Sequence, residues 1–194
     1  MAKIGFEYTV IGKLSEDTDG TPSYSDSMYM GPNAAFNVTV NSNDVKDYGD
    51  DRVVETDTSV IDGTISVEHN ELTLEQEAYM LGHTLGTSGQ IVYNDTDEAP
   101  FLGIGIVGKS KRSGSRVYTA KVYYKTQFRE PSDENATKQD STTFTHTTLE
   151  GNMYTLKNGD WKTAQEFTSL SDAKDFLDEL FGVEAETGET ETTE

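Results

Sequence analysis

The chain has no cysteine, a single tryptophan, three histidines and four prolines, and its 15 Lys and Arg residues are outnumbered by 35 Asp and Glu. Each shortage closes a route. Without cysteine there is no disulfide framework and no thiolate chemistry. His69, His83 and His146 are too scattered for a zinc-type spacing, so no metal site is expected from them. No run of 18 apolar residues is present to cross a membrane as a helix, and the opening stretch MAKIGFEYTVIGKL has no unbroken apolar core and carries Glu7. A soluble product, cytosolic at first, is therefore expected. The formal net charge is −20, and Glu184, Glu186, Glu189, Glu191 and Glu194 account for five of those charges, leaving −15 on the rest. A surface this negative repels phosphate backbones and anionic lipid, which argues against simple adhesion to nucleic acid or membrane. Hydrophobic residues make up 34% of the 194, enough for one domain with appendages around a modest core.

What is present is mostly β-strand. Ile4, Phe6, Tyr8, Val10 and Leu14 alternate with polar residues over 3–14; Ala34, Phe36, Val38 and Val40 alternate behind Pro32; Ile61, Ile65 and Val67 alternate over 60–69. The stretch 15–27 reads as an acidic loop. Asp17, Asp19, Gly20 and Asp26 echo a calcium loop in part, but Ser15 holds its first position, Asp26 replaces the bidentate Glu and no helices flank it, so a solvated turn is the expectation. Residues 41–57 read as a long polar connection rich in Asp.

Residues 103–110, GIGIVGKS, match the phosphate-loop pattern letter for letter, and Gly103, Gly105 and Gly108 also satisfy G-x-G-x-x-G. The context argues against that chemistry. A phosphate loop needs a helix after its lysine, so that backbone N–H groups and the helix N-terminus face the anion. Here KRSGSR follows, with no apolar stripe of helical period and a glycine in its middle. Strand, basic turn, strand is the economical reading, with Leu102, Ile104 and Ile106 on one face and glycines on the other that allow a close approach. After the turn, Tyr118, Ala120, Val122, Tyr124 and Phe128 are expected on one face, opposite Lys121, Tyr123, Lys125 and Gln127. No G-x-S-x-G or H-E-x-x-H occurs either, so the expectation is no catalytic residue, no cofactor and no enzyme.

Two helices are expected. Thr73 and Gln76 form a capping box ahead of Ala78, Tyr79, Leu81 and Leu85, with Gly82 or Gly86 as the stop. Near the C-terminus Ser171 would cap Ala173, Phe176, Leu177, Leu180 and Phe181, and Gly182 would end them. Between lie a short strand at 89–94, a threonine-rich strand at 142–149 and a hairpin signal, KNGD, at 157–160. The tail from 183 has a disordered, acidic composition.

The order of segments is itself a signature: YGDD at 48–51, LGHTLG closing the first helix, DEAPFLGIGI, the basic hairpin, then KVYYKTQFREPSDENATK. Over about residues 28–150 the chain resembles the major tail protein family of long-tailed, non-contractile bacteriophages, the subunit of the tail tube. The resemblance implies a mainly β fold, a tail-tube-type β-sandwich or barrel with one flanking helix (1–150), to which a C-terminal hairpin and helix (151–182) and an acidic tail (183–194) would be added. It implies hexameric rings stacked into a tube in the virion tail, assembled in the host cytoplasm, meeting tape measure and terminator or tip proteins, with genomic DNA passing through unbound. By the same resemblance Tyr48, Gly49, Asp50 and Asp51 would reach a neighbouring ring. Lys109, Lys111, Arg112 and Arg116 of the basic hairpin are expected to meet acidic surfaces of neighbouring subunits, and Asp62 and Glu68, on the polar face of their strand, are the candidates for the lumen. The competing reading is a monomeric β-sandwich binding module, for glycans or another ligand, suggested by ten tyrosines and Trp161.

Overall fold

A computed structural model describes residues 2–42, 45–49, 52–57, 60–132 and 146–183; for β4, β5 and the first residues of β1 and β6 it describes the backbone alone. The elements are β1 (Ala2–Glu16), β2 (Pro22–Tyr29), β3 (Asn33–Ser42), β4 (Val45–Gly49), β5 (Arg52–Asp57), β6 (Val60–His69), α1 (Leu74–Leu81), β7 (Thr84–Leu85), β8 (Ile91–Val92), β9 (Leu102–Arg112), β10 (Ser115–Phe128), β11 (Thr147–Tyr154), β12 (Lys162–Phe167) and α2 (Leu170–Phe181). The fold is mainly β, a large antiparallel sheet flanked by helices, as expected.

Strand β10 organises it. One edge pairs with β9; the other pairs with β12 along 118–123 and with β11 along 125–128. The sheet therefore forks into one arm, β2-β1-β9-β10-β12, and another, β11-β6-β3. The second arm folds back over the first, placing the Phe36 ring 6.2 Å from Phe6 and 5.8 Å from Tyr123. Between the arms lies the larger core, with Ile11, Ile65, Val67, Leu102, Ile104 and Leu149 fully buried, and α1 contributes Met80 and Leu81. On the other face of the first arm, Val10, Val107, Ala120 and Val122 pack beneath Ala173, Leu177 and Phe181 of α2.

The phosphate-loop glycines find their explanation here. Residues 103–110 lie inside β9, paired with β1 on one side and β10 on the other, so no loop of free N–H groups exists there. A Cβ at Gly103 would come within 2.1 Å of the Tyr24 ring, and one at Gly105 within 3.0 Å of Val10, Phe181 and Leu177. Tyr24 lies across this gap, stacked on Phe181 at 4.4 Å with its hydroxyl donating to the Tyr124 carbonyl at 3.3 Å. Gly103→Ala should therefore cost about 1–3 kcal/mol, because a well-packed site must open. Urea denaturation checks this; an unchanged midpoint would mean that Tyr24 is not held there.

Several expectations need correction. The stretch 15–27 is not one loop: Asp17 Oδ1 accepts from the N–H groups of Asp19 and Thr21 at 2.9 and 2.8 Å, closing a tight turn, and β2 begins at Pro22. The polar connection at 41–57 contains the antiparallel pair β4–β5. The face assigned to Phe128 is wrong, because an extra residue between Tyr123 and Thr126 shifts the register against β9 and turns Phe128 into the inter-arm core beside Tyr123. Shifts at 3/5 and 6/8 in β1 likewise break its single stripe: Ile4 is 55% exposed, Phe6 meets Phe36 and Tyr8 packs on the α2 side. The KNGD turn forms, with Leu156 N–H donating to the Asp160 carbonyl at 2.7 Å, but β11 and β12 pair with β10 and not with each other. Residues 155–161 are thus an excursion from one interrupted strand. The N-cap of α2 is Ser169 rather than Ser171. The boundary drawn at 150/151 falls inside β11, and β12 and α2 both pack on the common sheet. Residues 184–194, like 133–145, lie outside the described residues.

Candidate assembly surfaces

The fork separates charge. Strands β3, β6 and β11 contain no Lys or Arg, and their charged carboxylate residues are Asp62, Glu68 and Glu150. The other arm holds nine cations against four carboxylates. Because Ile65, Val67, Leu149 and Met153 point into the inter-arm core, the alternate residues of the β3-β6-β11 arm form its outer face. The register places Asn41, Thr39 and Asn37 beside Asp62, Thr64 and Ser66. Across β6, Thr148, Glu150 and Asn152 sit beside Glu68, Ser66 and Thr64. This outer face is built of hydroxyl, amide and carboxylate groups. Asp62 accepts from Asn41 Nδ2 at 2.7 Å, and Glu68 lies 2.8 Å from His146 Nδ1. The two lumen candidates therefore do share one face.

The basic hairpin divides. Lys109 donates to Glu7 on the neighbouring strand, and Arg112 makes a two-pronged pair with Glu166 of β12 at 2.6 and 2.9 Å. Two of its four expected intersubunit cations thus have partners within their own chain. Lys111 and Arg116 are exposed and stand directly opposite each other in the β9–β10 ladder, and among the described residues neither has an ion-pair partner. Like charges facing across a ladder disfavour it, so an acidic partner from outside would relieve the repulsion.

Tyr48 and Gly49 lie in β4, opposite Val53 and Arg52 of β5; Asp50 and Asp51 fall outside the described residues. The β4–β5 pair forms a two-stranded sheet of its own, apart from the large one. At the ends of the large sheet, β2 and β3 each have one neighbour, which leaves an unpaired edge among the described residues.

No family model matches this chain, and no curated protein matches it either.

Two internal clusters escaped the sequence reading. His83, with a side chain 4% exposed, lies 2.8 Å from Asp97 and 2.6 Å from Glu130, with its ring edge-on to Tyr93. Burial alone would lower its pKa, but the hydrogen bonds to Asp97 and Glu130, and then their charges, outweigh it and hold the pKa above the usual histidine value. Asp97 is held low, first by His83 and then by the Asn94 N–H. The imidazolium form bridges the turn at 94–97 to the residues after β10. A raised histidine pKa contributes stability that is complete below the unfolded value of about 6.5 and is lost as pH rises through the folded value. An NMR titration should find the His83 midpoint above 6.5 and lower in Glu130→Gln; an ordinary midpoint would break the assignment. The second cluster joins Glu16, 8% exposed, to Lys125 at 2.5 Å and to the Lys157 N–H at 3.1 Å, with Lys125 lying over the Phe101 ring. The Lys125 hydrogen bond, against the opposing effect of burial, holds the Glu16 pKa below the usual value. Their sequence separation hid both clusters.

Among the described residues no group of three or more His, Asp or Glu is arranged to hold a metal ion, and no helix is long and apolar enough to cross a membrane.

Proposed function

We propose that this chain is a structural virion protein, the subunit of a phage tail tube, which self-assembles into hexameric rings stacked as a conduit for DNA ejection. The observation that carries the reading is the segregation of charge between the two arms. A sheet face whose strands carry no Lys or Arg of their own, with a single Arg129 reaching Glu150 from beyond β10, is suited to line a passage for a polyanion, because unpaired cations there would bind phosphates and release counterions, making the wall adhesive. Unpaired edges at β2 and β3 supply the second requirement, since closing copies into a ring covers edges that would otherwise associate without limit. The resemblance in the order and spacing of segments supports the same reading. On it Asp62 and Glu68 face the passage, and Lys111 and Arg116 meet an acidic surface of a neighbour.

The decisive experiment is electron microscopy of the purified protein across a salt series, in which screening should help like-charged copies associate. Rings and hollow tubes are expected, and dispersed monomers under every condition would overturn the reading. Lys111→Glu with Arg116→Glu should impair tube formation, and Asp62→Lys with Glu68→Lys should leave tubes that deliver DNA poorly. Of the aromatics that suggest a monomeric glycan module, Trp161 is half-buried against the inter-arm core with Lys162 over its ring, whereas Tyr29, Tyr93 and Tyr154 are exposed, and glycan binding by dispersed monomers would favour that reading.

A further inference from the structure

Charge is also divided along the length of β9. At its far end the hairpin tip, residues 108–117, carries Lys109, Lys111, Arg112 and Arg116 and no carboxylate. Ahead of its first residue, the stretch 71–98 carries Glu71, Glu75, Glu77, Asp95, Asp97 and Glu98 and no Lys or Arg. That stretch belongs to the Leu102 end of the sheet, since Glu98 and Pro100 lead directly into β9 and His83 reaches Glu130 just past β10. The eleven residues of β9 hold the two ends roughly 33 Å apart.

The acidic end also exposes apolar surface. Of the nine large apolar or aromatic side chains exposed among the described residues, Leu74, Leu85, Val92 and Tyr93 fall between the start of α1 and the residue after β8. Beside α1 opens a groove of about 410 Å³, lined in part by Met28, Leu85 and Pro100. Glu75 and Glu98 are its exposed carboxylates, and neither has an ion-pair partner among the described residues. The groove's two basic groups are already compensated, Lys13 by Asp26 at 3.3 Å and His83 by Asp97 and Glu130.

We infer that this groove receives the basic hairpin tip of a second copy of the chain, with Lys111 and Arg116 set against Glu75 and Glu98. Of the four cations of the tip, these two have no ion-pair partner among the described residues of their own chain, and they face each other across the ladder, so one acidic surface neutralises both. Their methylene stems suit an apolar lining while their charged heads reach carboxylates at its lip. Ile4, exposed on β1 between the residues that pair with Ser110 and Lys109, adds an apolar contact beside them. A copy cannot fill its own groove, because tip and groove stand at opposite ends of β9. The contact is therefore head-to-tail: each copy offers a tip to one neighbour and a groove to another, a geometry that closes a ring or propagates as a stack. The choice of a second copy as occupant rests on the self-assembly proposed above, whereas the charge and exposure of the two ends do not.

Charge reversal in trans tests this in the full chain. Lys111→Glu with Arg116→Glu gives a tip-reversed copy, and Glu75→Lys with Glu98→Lys a groove-reversed one. All four positions are exposed, so both variants should keep the wild-type circular dichroism spectrum. Each alone should need about tenfold more protein, or beyond, to self-associate in sedimentation velocity, since like charges then meet. An equimolar mixture should recover wild-type association, because every tip then finds a groove of opposite sign. Carbodiimide treatment of mixed ¹⁵N-labelled and unlabelled wild-type chain should give amide links from Lys111 to Glu75 or Glu98 that join the two isotopes. Where the wild-type chain forms tubes, normal tubes from either variant alone, or a mixture no better than its parts, would overturn the inference and leave the assembly reading standing. Mixed-isotope Lys111 links in a protein that never forms rings or tubes would keep the contact and remove the tube. A wild-type chain that neither links nor associates would overturn both.

Discussion

Phe181→Ala should lower the unfolding free energy by about 3–5 kcal/mol, a large share of the 5–15 kcal/mol typical of a whole domain. Phe181 is 1% exposed and stacks on Tyr24, while Gly12 and Gly105 have no side chain where its ring sits. Nothing larger than glycine could stand at either position without meeting that ring, so its loss leaves a hole that the sheet cannot easily fill. Chemical denaturation followed by circular dichroism would measure the effect. The result also bears on organisation. Were residues 151–182 an accessory joined to a self-sufficient sandwich, truncating one side chain in the last helix would barely move the main transition. A loss under 1 kcal/mol would support that arrangement and contradict the shared core described here.

Glu16→Ala should cost about 2–3 kcal/mol, somewhat less than the loss expected when one partner of a fully buried ion pair is removed, because Lys125 retains partial access to water. The substitution strands the Lys125 ammonium over the Phe101 ring and removes the acceptor of the Lys157 N–H, so the excursion at 155–161 should loosen as well. The pH dependence follows from the depressed pKa of Glu16. Its contribution is present above the unfolded value of about 4.3 and is lost as pH falls through the lower folded value. The wild-type chain should therefore lose stability more steeply on acidification below about pH 4.5 than Glu16→Ala. Parallel slopes for the two proteins would show that the carboxylate is not engaged as described.

What could be read from the chain beforehand was whatever local chemistry decides. The capping box at Thr73 and Gln76, the left-handed glycines at 82 and 182 and the alternation of β6 all depend on residues within a turn or two of each other, and all took the form that their sequence dictates. The basic hairpin was legible because a glycine-centred polar turn between β-branched runs has few other solutions. What failed depends on distant partners. Strand β2 carries three serines, an aspartate and a proline, a loop composition by any local measure, and it becomes a strand because β1 offers it an edge. The register shifts in β1 and β10 are single extra residues whose effect is to exchange faces, which no alternation pattern announces. Of the candidate surfaces, the shared polar face of Asp62 and Glu68 followed from parity along one strand. The pairing of Arg112 with Glu166, 54 residues away, could not have been seen.

The triple pairing of β10 also has a temporal meaning. Its partners are β9 just before it and β11 and β12 near the finish, and β9 pairs in turn with β1 at the start, so a nascent chain on the ribosome cannot complete the sheet until Phe167 has emerged. Contacts that close such long loops make for slow maturation and a period in which unfinished strands are open to other nascent chains. Until β12 pairs, the open edge of β10 is where such mispairing between nascent chains would begin.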